Sequence, residues 1–371
     1  MIVLKYNPLH YYQIALSLVK EIGPVTGRKL IAHMGSAGAV FKASRHEIES
    51  IPGITPRLVA ALTSSEPLKR AEQQLKYLEK YKIRPLFYSD DDYPQRMKNC
   101  HDAPLMLYYR GNADLNHRRT LAIVGTRSAT SYGRTACEKF VEELKGADVL
   151  IVSGLAFGID SCAHKMALKH KMQTLGVIAH GHDTLYPAQN RNLAAKMLNQ
   201  GGIITEWGYG VIPEKVMFPR RNRIIAGLSD ATLVVEAGKK GGALITADIA
   251  NSYNRDVFAV PGRIYDNFSV GCNNLIKYNA AALATSARDI LRMMNWDIQD
   301  EQVRNQQRQI IQTLSETEKK VVDALKFQGP SSMDQMSAEL NMASSKLSGI
   351  LLKLEFYGLV KTLPGNQYQL I

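Results

Sequence analysis

At 371 residues, with 45% apolar and 22% charged residues and no low-complexity tract, the chain reads as a folded protein of two or three domains and not as a disordered one. Its net charge of +12 points to a polyanionic partner. No stretch approaches the roughly 20 apolar residues of a membrane span, the first 20 residues lack the basic-then-apolar pattern of a signal peptide, and a cytoplasmic protein is expected. Cys100, Cys137, Cys162 and Cys272 are scattered without a CxxC pair, so they are read as reduced structural thiols, with no metal.

Charge is uneven along the chain. Residues 1–85 hold 13 Lys and Arg against 6 Asp and Glu, while residues 309–371 hold 6 of each, so the two ends are expected to do different work. The first segment contains two similar units, Ile22-Gly23-Pro24-Val25-Thr26-Gly27 leading into residues 28–34, and Ile51-Pro52-Gly53-Ile54-Thr55-Pro56 leading into residues 57–62. Each reads as helix, tight turn, helix and resembles a helix-hairpin-helix pair, whose turn offers backbone N–H groups to DNA phosphates. Plain helical packing uses the same pattern equally well.

From about Lys82 to Gly111 a stretch with Asp90-Asp91-Asp92-Tyr93-Pro94 is expected as a lead-in or linker. Apolar β-type runs then alternate with helical runs. Strands are predicted over 121–125, 149–153, 174–179, 203–206, 231–236 and 256–261, and helices beginning near Ser131, Asp160, Gln189, Arg221, Gly242 and Cys272. That alternation predicts a parallel sheet covered on both faces. The polar run Gln302 to Gln309 is read as a linker. Ser315 with Glu318 has capping-box spacing at the start of a helix, and two further helices, Met333 to Leu340 and Ser344 to Phe356, precede a hairpin across Pro364-Gly365-Asn366. These features predict a winged helix, whose zero net charge favours protein contact or structural capping over phosphate binding. The expected plan is an α/β Rossmann-like doubly wound parallel sheet at 83–300, a helical helix-hairpin-helix- or SAM-like domain at 1–82, and a winged-helix-like domain at 309–371.

In doubly wound sheets ligands bind beyond the carboxyl ends of the strands. There Gly125-Thr126-Arg127-Ser128 offers a close backbone approach, a hydroxyl and a guanidinium to an anion, without a Walker lysine or a GxGxxG pattern. Ser153-Gly154-Leu155-Ala156-Phe157-Gly158-Ile159-Asp160 is a second small-residue loop, with Asp160 read as an N-cap. The densest basic cluster, Lys215, Arg220, Arg221 and Arg223 around Phe218, has the charge and ring that single-stranded nucleic acid needs. Lys239 and Lys240 extend the rim, and Arg191 and Arg263 stand at other strand ends as solvated side chains. His180-Gly181-His182-Asp183 lacks a third strong ligand and is read as structural.

The blocks Gly125-Thr126-Arg127, Ser153 to Asp160 with Ala163-His164, Tyr186-Pro187 with Asn190, Phe218-Pro219 with Arg221 to Ser229, Glu236-Ala237 with Leu244 to Ala247, Ala259 to Gly262, and Gly271 with Asn273, Leu275 and Ile276 together resemble the DprA/Smf family. The resemblance implies a protein, not an enzyme, that binds incoming single-stranded DNA during natural transformation, shields it and helps load the RecA recombinase. It further implies a homodimer without a cofactor, and single-strand contacts at Arg127, Lys215 and Phe218. Gly125, Thr126, Arg220, Arg221, Arg223 and Lys240 are added to the expected DNA-binding set from charge and placement. One departure stands out: Gly241-Gly242 occupies the place of the family's usual Ser-Gly.

Two other readings use the same residues. A nucleotide hydrolase like the LOG family would employ Glu206 or Glu236 as its acid, although the PGGxGTxxE signature of that family is absent. A transcription regulator would read duplex DNA through the winged helix, against the neutral charge of that segment.

Overall fold

The computed structural model describes residues 8–296, 314–329, 331–357, 359–363 and 367–370. The chain divides into two compact units, 1–293 and 294–371. The expected linker run and the tip of the C-terminal hairpin lie outside the described residues.

Runs in which every side chain is buried are what strands covered on both faces require, and they form the centre of a nine-stranded sheet in the larger unit. The strands are β1 (Arg84–Phe87), β2 (Met106–Gly111), β3 (Thr120–Val124), β4 (Leu150–Ser153), β5 (Thr174–Val177), β6 (Gly201–Thr205), β7 (Ala231–Val234), β8 (Asp256–Ala259) and β9 (Ala282–Leu283). Their order is β1-β2-β6-β5-β4-β3-β7-β8-β9, parallel from β6 to β9. From β3 the chain winds outward through β4, β5 and β6, then returns to place β7 on the other side of β3 and winds away again. The switch point therefore lies between β3 and β7.

Helices α8 (Ser131–Glu143), α9 (Ile159–Lys169) and α10 (Arg191–Met197) pack side by side, as do α11 (Met217–Leu228) and α12 (Gly242–Ser252) with the short α7 (Gln95–Lys98). Helices α13 (Val270–Lys277) and α14 (Ala287–Met293) complete the large unit. The doubly wound sheet is as the sequence predicts, with strand ends shifted by one or two residues.

The stretch expected as a lead-in or linker is instead part of this sheet. β1 and β2 pair antiparallel, and β2 pairs antiparallel with β6, so residues 84–111 form its outer edge. Asp90 makes the turn, accepting a hydrogen bond from the Phe87 N–H at 2.8 Å, and the Tyr93 hydroxyl donates to the Pro104 carbonyl at 2.7 Å.

Among the described residues ahead of the sheet stand six helices: α1 (Pro8–Ser17), α2 (Pro24–Met34), α3 (Ala37–Lys42), α4 (Arg45–Glu49), α5 (Pro56–Thr63) and α6 (Glu66–Tyr81). Pro24 and Pro56 sit in the first turns of α2 and α5, where a missing N–H costs nothing. Leu16, Leu30, Val40, Ile48, Leu58 and Val59 form a core among these helices. A second core joins Ile14, Leu75 and Leu78 of α1 and α6 to Phe87, Met106 and Tyr108 of the β1–β2 hairpin, fixing the helical region to the sheet edge.

The smaller unit has α15 (Glu316–Gln328), β10 (Ser331–Ser332), α16 (Met333–Glu339), α17 (Ser344–Phe356), β11 (Val360–Leu363) and β12 (Gln367–Leu370), the strands ordered β10-β12-β11. Val321, Leu325, Met336, Leu347, Leu351 and Leu354 meet in its core. Three helices and a hairpin make the expected winged helix, and Ser315 with Glu318 closes the capping box of α15.

Candidate nucleic-acid interface

Loops following β3, β4, β5, β6, β7 and β8 surround a cavity of about 880 Å³ at the switch point. Two glycines allow those loops to close on one another. A Cβ on Gly125 would stand 2.5 Å from Ile159, and one on Gly158, where φ is +77°, would stand 2.2 Å from the Thr126 carbonyl oxygen. The Thr126 N–H donates to the Glu236 carbonyl at 2.8 Å, and the Ile159 N–H to the Thr126 carbonyl at 3.2 Å, so Gly125-Thr126-Arg127 is clamped from both sides.

Helix α11 starts at Met217, four residues earlier than predicted, with Pro219 in its first turn. Helical spacing then puts Phe218, Arg221, Asn222 and Ile225 on one face, and all four line the cavity. The half-buried Phe218 ring lies 5.1 Å beneath the Arg127 guanidinium and 5.7 Å from Tyr186. Lys215, Lys239 and Lys240 are exposed on the rim. A cationic mouth with an aromatic wall suits a chain of phosphates carrying stackable bases.

Beneath the mouth, Arg221 is only 4% exposed and donates to the carbonyls of Gly154 and Val177. Burial pulls its pKa down to about 10, against the support of Asp160, which leaves it charged at neutral pH. Asp160 lies in the first turn of α9, after the Gly158 cap, and accepts from the Ala156 N–H at 3.3 Å, bracing the loop before the helix where an N-cap role was expected. Burial pushes its carboxyl up from the ordinary value, opposed by Arg221 and by hydrogen bonding to Ala156. Sequence reasoning missed Tyr186, Asp160 and Asn222 as cavity residues. Asn222 donates to the Gly242 carbonyl at 3.0 Å, tying α11 to the start of α12.

Not every expected residue joins this group. Arg223 is 9% exposed, absent from the cavity wall, and engaged with the Glu206 carboxylate and the Asp102 carbonyl. It follows Arg221 by two residues and so points to another side of α11. Arg220 is exposed but does not line the cavity, and neither do Arg191 and Arg263.

The carboxylates of the hydrolase reading are also committed elsewhere. Glu236 accepts from the Thr130 hydroxyl at 2.6 Å and the Thr130 N–H at 2.9 Å, and Glu206 pairs with Arg223. His180 bonds through Nδ1 with the Gly181 carbonyl at 2.8 Å, and His182 through Nε2 with the Tyr108 carbonyl at 3.0 Å. Among the described residues no group of three His, Cys, Asp or Glu could hold a metal ion, and no helix is long and apolar enough to cross a membrane. All four cysteines are buried and free. At the first helical turns, Arg57 pairs with Glu21 at 3.0 Å and Thr55 accepts from the Leu58 N–H at 3.3 Å. Gly241 has extended backbone and open space where a Cβ would stand, so a serine fits there.

A doubly wound sheet with a cationic, aromatic-walled cavity at its switch point defines a Rossmann-like protein. Within that class the chain belongs to the DNA recombination-mediator protein A family, DprA/Smf. The model of that family matches residues 84–295, and that of the DprA winged helix domain matches residues 306–366. Protein Smf of Synechocystis is 33% identical, the match covering 98% of this chain and 99% of that one. The DNA processing protein DprA of Streptococcus pneumoniae is 43% identical over 54% of this chain and 71% of its own. Its X-ray structure aligns with a TM-score of 0.63 at 33% identity, covering 76% of this chain and 97% of that one. The DprA of Helicobacter pylori, whose structure concerns single-stranded DNA binding by that protein, aligns at a TM-score of 0.52 and 26% identity over 58% and 96%.

Proposed function

We propose that this chain binds single-stranded DNA in the switch-point cavity, protects incoming DNA and helps load the RecA recombinase during natural transformation and recombination. It acts as a homodimer, without a cofactor and without catalysing a reaction. The observation that carries this reading is the Arg127 guanidinium over the Phe218 ring at the cavity mouth, with Lys215, Lys239 and Lys240 around it. In the proposed complex Gly125 and Thr126 give a phosphate access to the backbone and a hydroxyl, and Arg127, Lys215, Arg220 and Lys240 neutralise phosphates. Phe218 stacks a base, and Arg221 adds positive potential from below. Arg223 is left out of the set because Glu206 and Asp102 already hold it.

The proposed division of labour is a helical region at 1–82, the DNA-binding sheet at 83–300 and a winged helix at 309–371. The winged helix serves contacts other than single-stranded DNA, consistent with its zero net charge. The deciding experiment is fluorescence anisotropy with a labelled single strand and its duplex at two salt concentrations. Tighter binding to the single strand is expected, with a loss in Arg127→Ala and Lys215→Ala and a loss of roughly 1–3 kcal/mol in Phe218→Ala. Equal affinity for both forms, or folded variants that bind like the parent, would put the function elsewhere.

A further inference from the structure

The loop between β6 and α11 carries a second aromatic surface that the cavity does not include. Tyr209 is 50% exposed and its ring stacks on Tyr77 of α6 at 4.4 Å, while Tyr77 lies 4.6 Å from Tyr81, which is 37% exposed. The Lys80 ammonium sits 5.4 Å over the Tyr81 ring, and Lys80 and Lys82 are both exposed. The base of this surface is firm: the Tyr209 N–H donates to the buried Gln74 side chain at 2.8 Å, and the Gly210 N–H to Asp183 at 3.1 Å.

The surface is joined to the cavity through backbone. The Gly181 N–H donates to the Val211 carbonyl at 2.9 Å, tying the tyrosine-bearing loop to the loop after β5, whose Tyr186 reaches the Phe218 ring. Tyr77 is half-buried and packs against the core beneath α6, while Tyr209 and Tyr81 on either side of it present exposed faces, and every nucleobase offers a face to a ring and every phosphate a charge to a lysine. The helical N-terminal region supplies Tyr77, Lys80 and Tyr81, and the sheet domain supplies Tyr209, so the strip exists only because α6 is fixed to the sheet edge.

We infer that the strip Tyr209–Tyr77–Tyr81 with Lys80 is a second stacking platform, which takes the nucleotides of a single strand that run out of the Phe218 cavity toward the N-terminal helices. This deepens the proposed function and rests on it. The occupant is the continuation of the same single strand, because the platform repeats the ring-plus-cation chemistry of the Arg127 and Phe218 pair and its loop is hydrogen-bonded to the loop that carries Tyr186.

The test compares full-length protein, Tyr209→Ala, Tyr81→Ala, Lys80→Glu and Arg127→Ala, using oligothymidylates of roughly six and roughly thirty nucleotides. Anisotropy gives the affinities and thermal unfolding checks the fold. Each tyrosine variant is expected to bind the long strand about five- to tenfold more weakly and the short strand unchanged, the low end of base stacking on an aromatic ring. Arg127→Ala is expected to weaken both. If Tyr209→Ala perturbs folding, Tyr81→Ala and Lys80→Glu at the exposed end of the strip still decide the matter. Parental affinity of these variants for the long strand, with Arg127→Ala still impaired, would overturn the platform and leave the cavity standing. An unimpaired Arg127→Ala would overturn the cavity reading, and the platform with it.

Discussion

Arg127 stands in the loop after β3 and Phe218 in the first turn of α11, and the glycines that hold the Arg127 loop lie where it meets the loop after β4. Gly158 is the strictest of them, with φ at +77° and the Thr126 carbonyl where a side chain would begin. Gly158→Ala is therefore expected to destabilise the protein by roughly 1–3 kcal/mol from backbone conformation alone, read as a lower urea midpoint. Gly241→Ser is the opposite case: extended backbone and open space predict an unchanged urea midpoint and, in anisotropy, a single-strand affinity equal to or above the parent's, as the new hydroxyl joins the rim. Arg127, Lys215 and Phe218 are singled out by the family resemblance and by a ring set among cations, and all three line the cavity. Arg223, expected beside them, pairs with Glu206 away from the cavity wall, because a run of arginines in sequence says nothing of which helical face each occupies until the helix start is known. Asp160 and Tyr186 gave little signal of their own, since an acid at a helix start and a Tyr-Pro pair have commoner uses.

At the level of elements, the buried parallel strands were legible as uninterrupted apolar runs and the edge hairpin was not. Residues 84–111 contain three prolines, tyrosines and an acidic turn, and the strand character of β1 and β2 comes from pairing with β6 and packing on α1 and α6, which no local pattern announces. Pro219 hid the start of α11 for a related reason, since proline breaks a helix interior but is at home in the first turn. In the smaller unit, Glu318 accepts from the Ser315 N–H at 2.8 Å and from Lys353 of α17 at 2.6 Å, closing a cap and linking two helices. Lys353 first, and then the Ser315 hydrogen bonds, hold its carboxyl down at about 2. A depressed carboxyl stabilises fully above its ordinary value of 4.5 and loses that contribution as pH falls toward 2. Hydrogen exchange of α15 amides should therefore show protection that drops between about pH 4.5 and about pH 2, and a smaller drop in Glu318→Gln.

For the whole molecule, charge sorts the work. The sheet domain places cations around one cavity, and the winged helix is neutral. Deleting residues 309–371 should leave single-strand affinity within about twofold of the parent by anisotropy, because the tail adds no net charge to the electrostatic attraction. In the same assay Arg127, Lys215, Arg220 and Lys240, if each meets a phosphate, predict a slope of log affinity against log salt of roughly −3, and Lys215→Ala should make it shallower by roughly 0.7. The switch point has a further consequence for synthesis of the chain. β3 receives its second neighbour only when β7 has been made, and the Glu236 tie to Thr126 and Thr130 forms after that. A nascent chain that has emerged only as far as Ser229 has the first half of its parallel sheet but only part of the cavity wall. The cavity wall is thus complete only once the chain has reached Phe268, late in the larger unit.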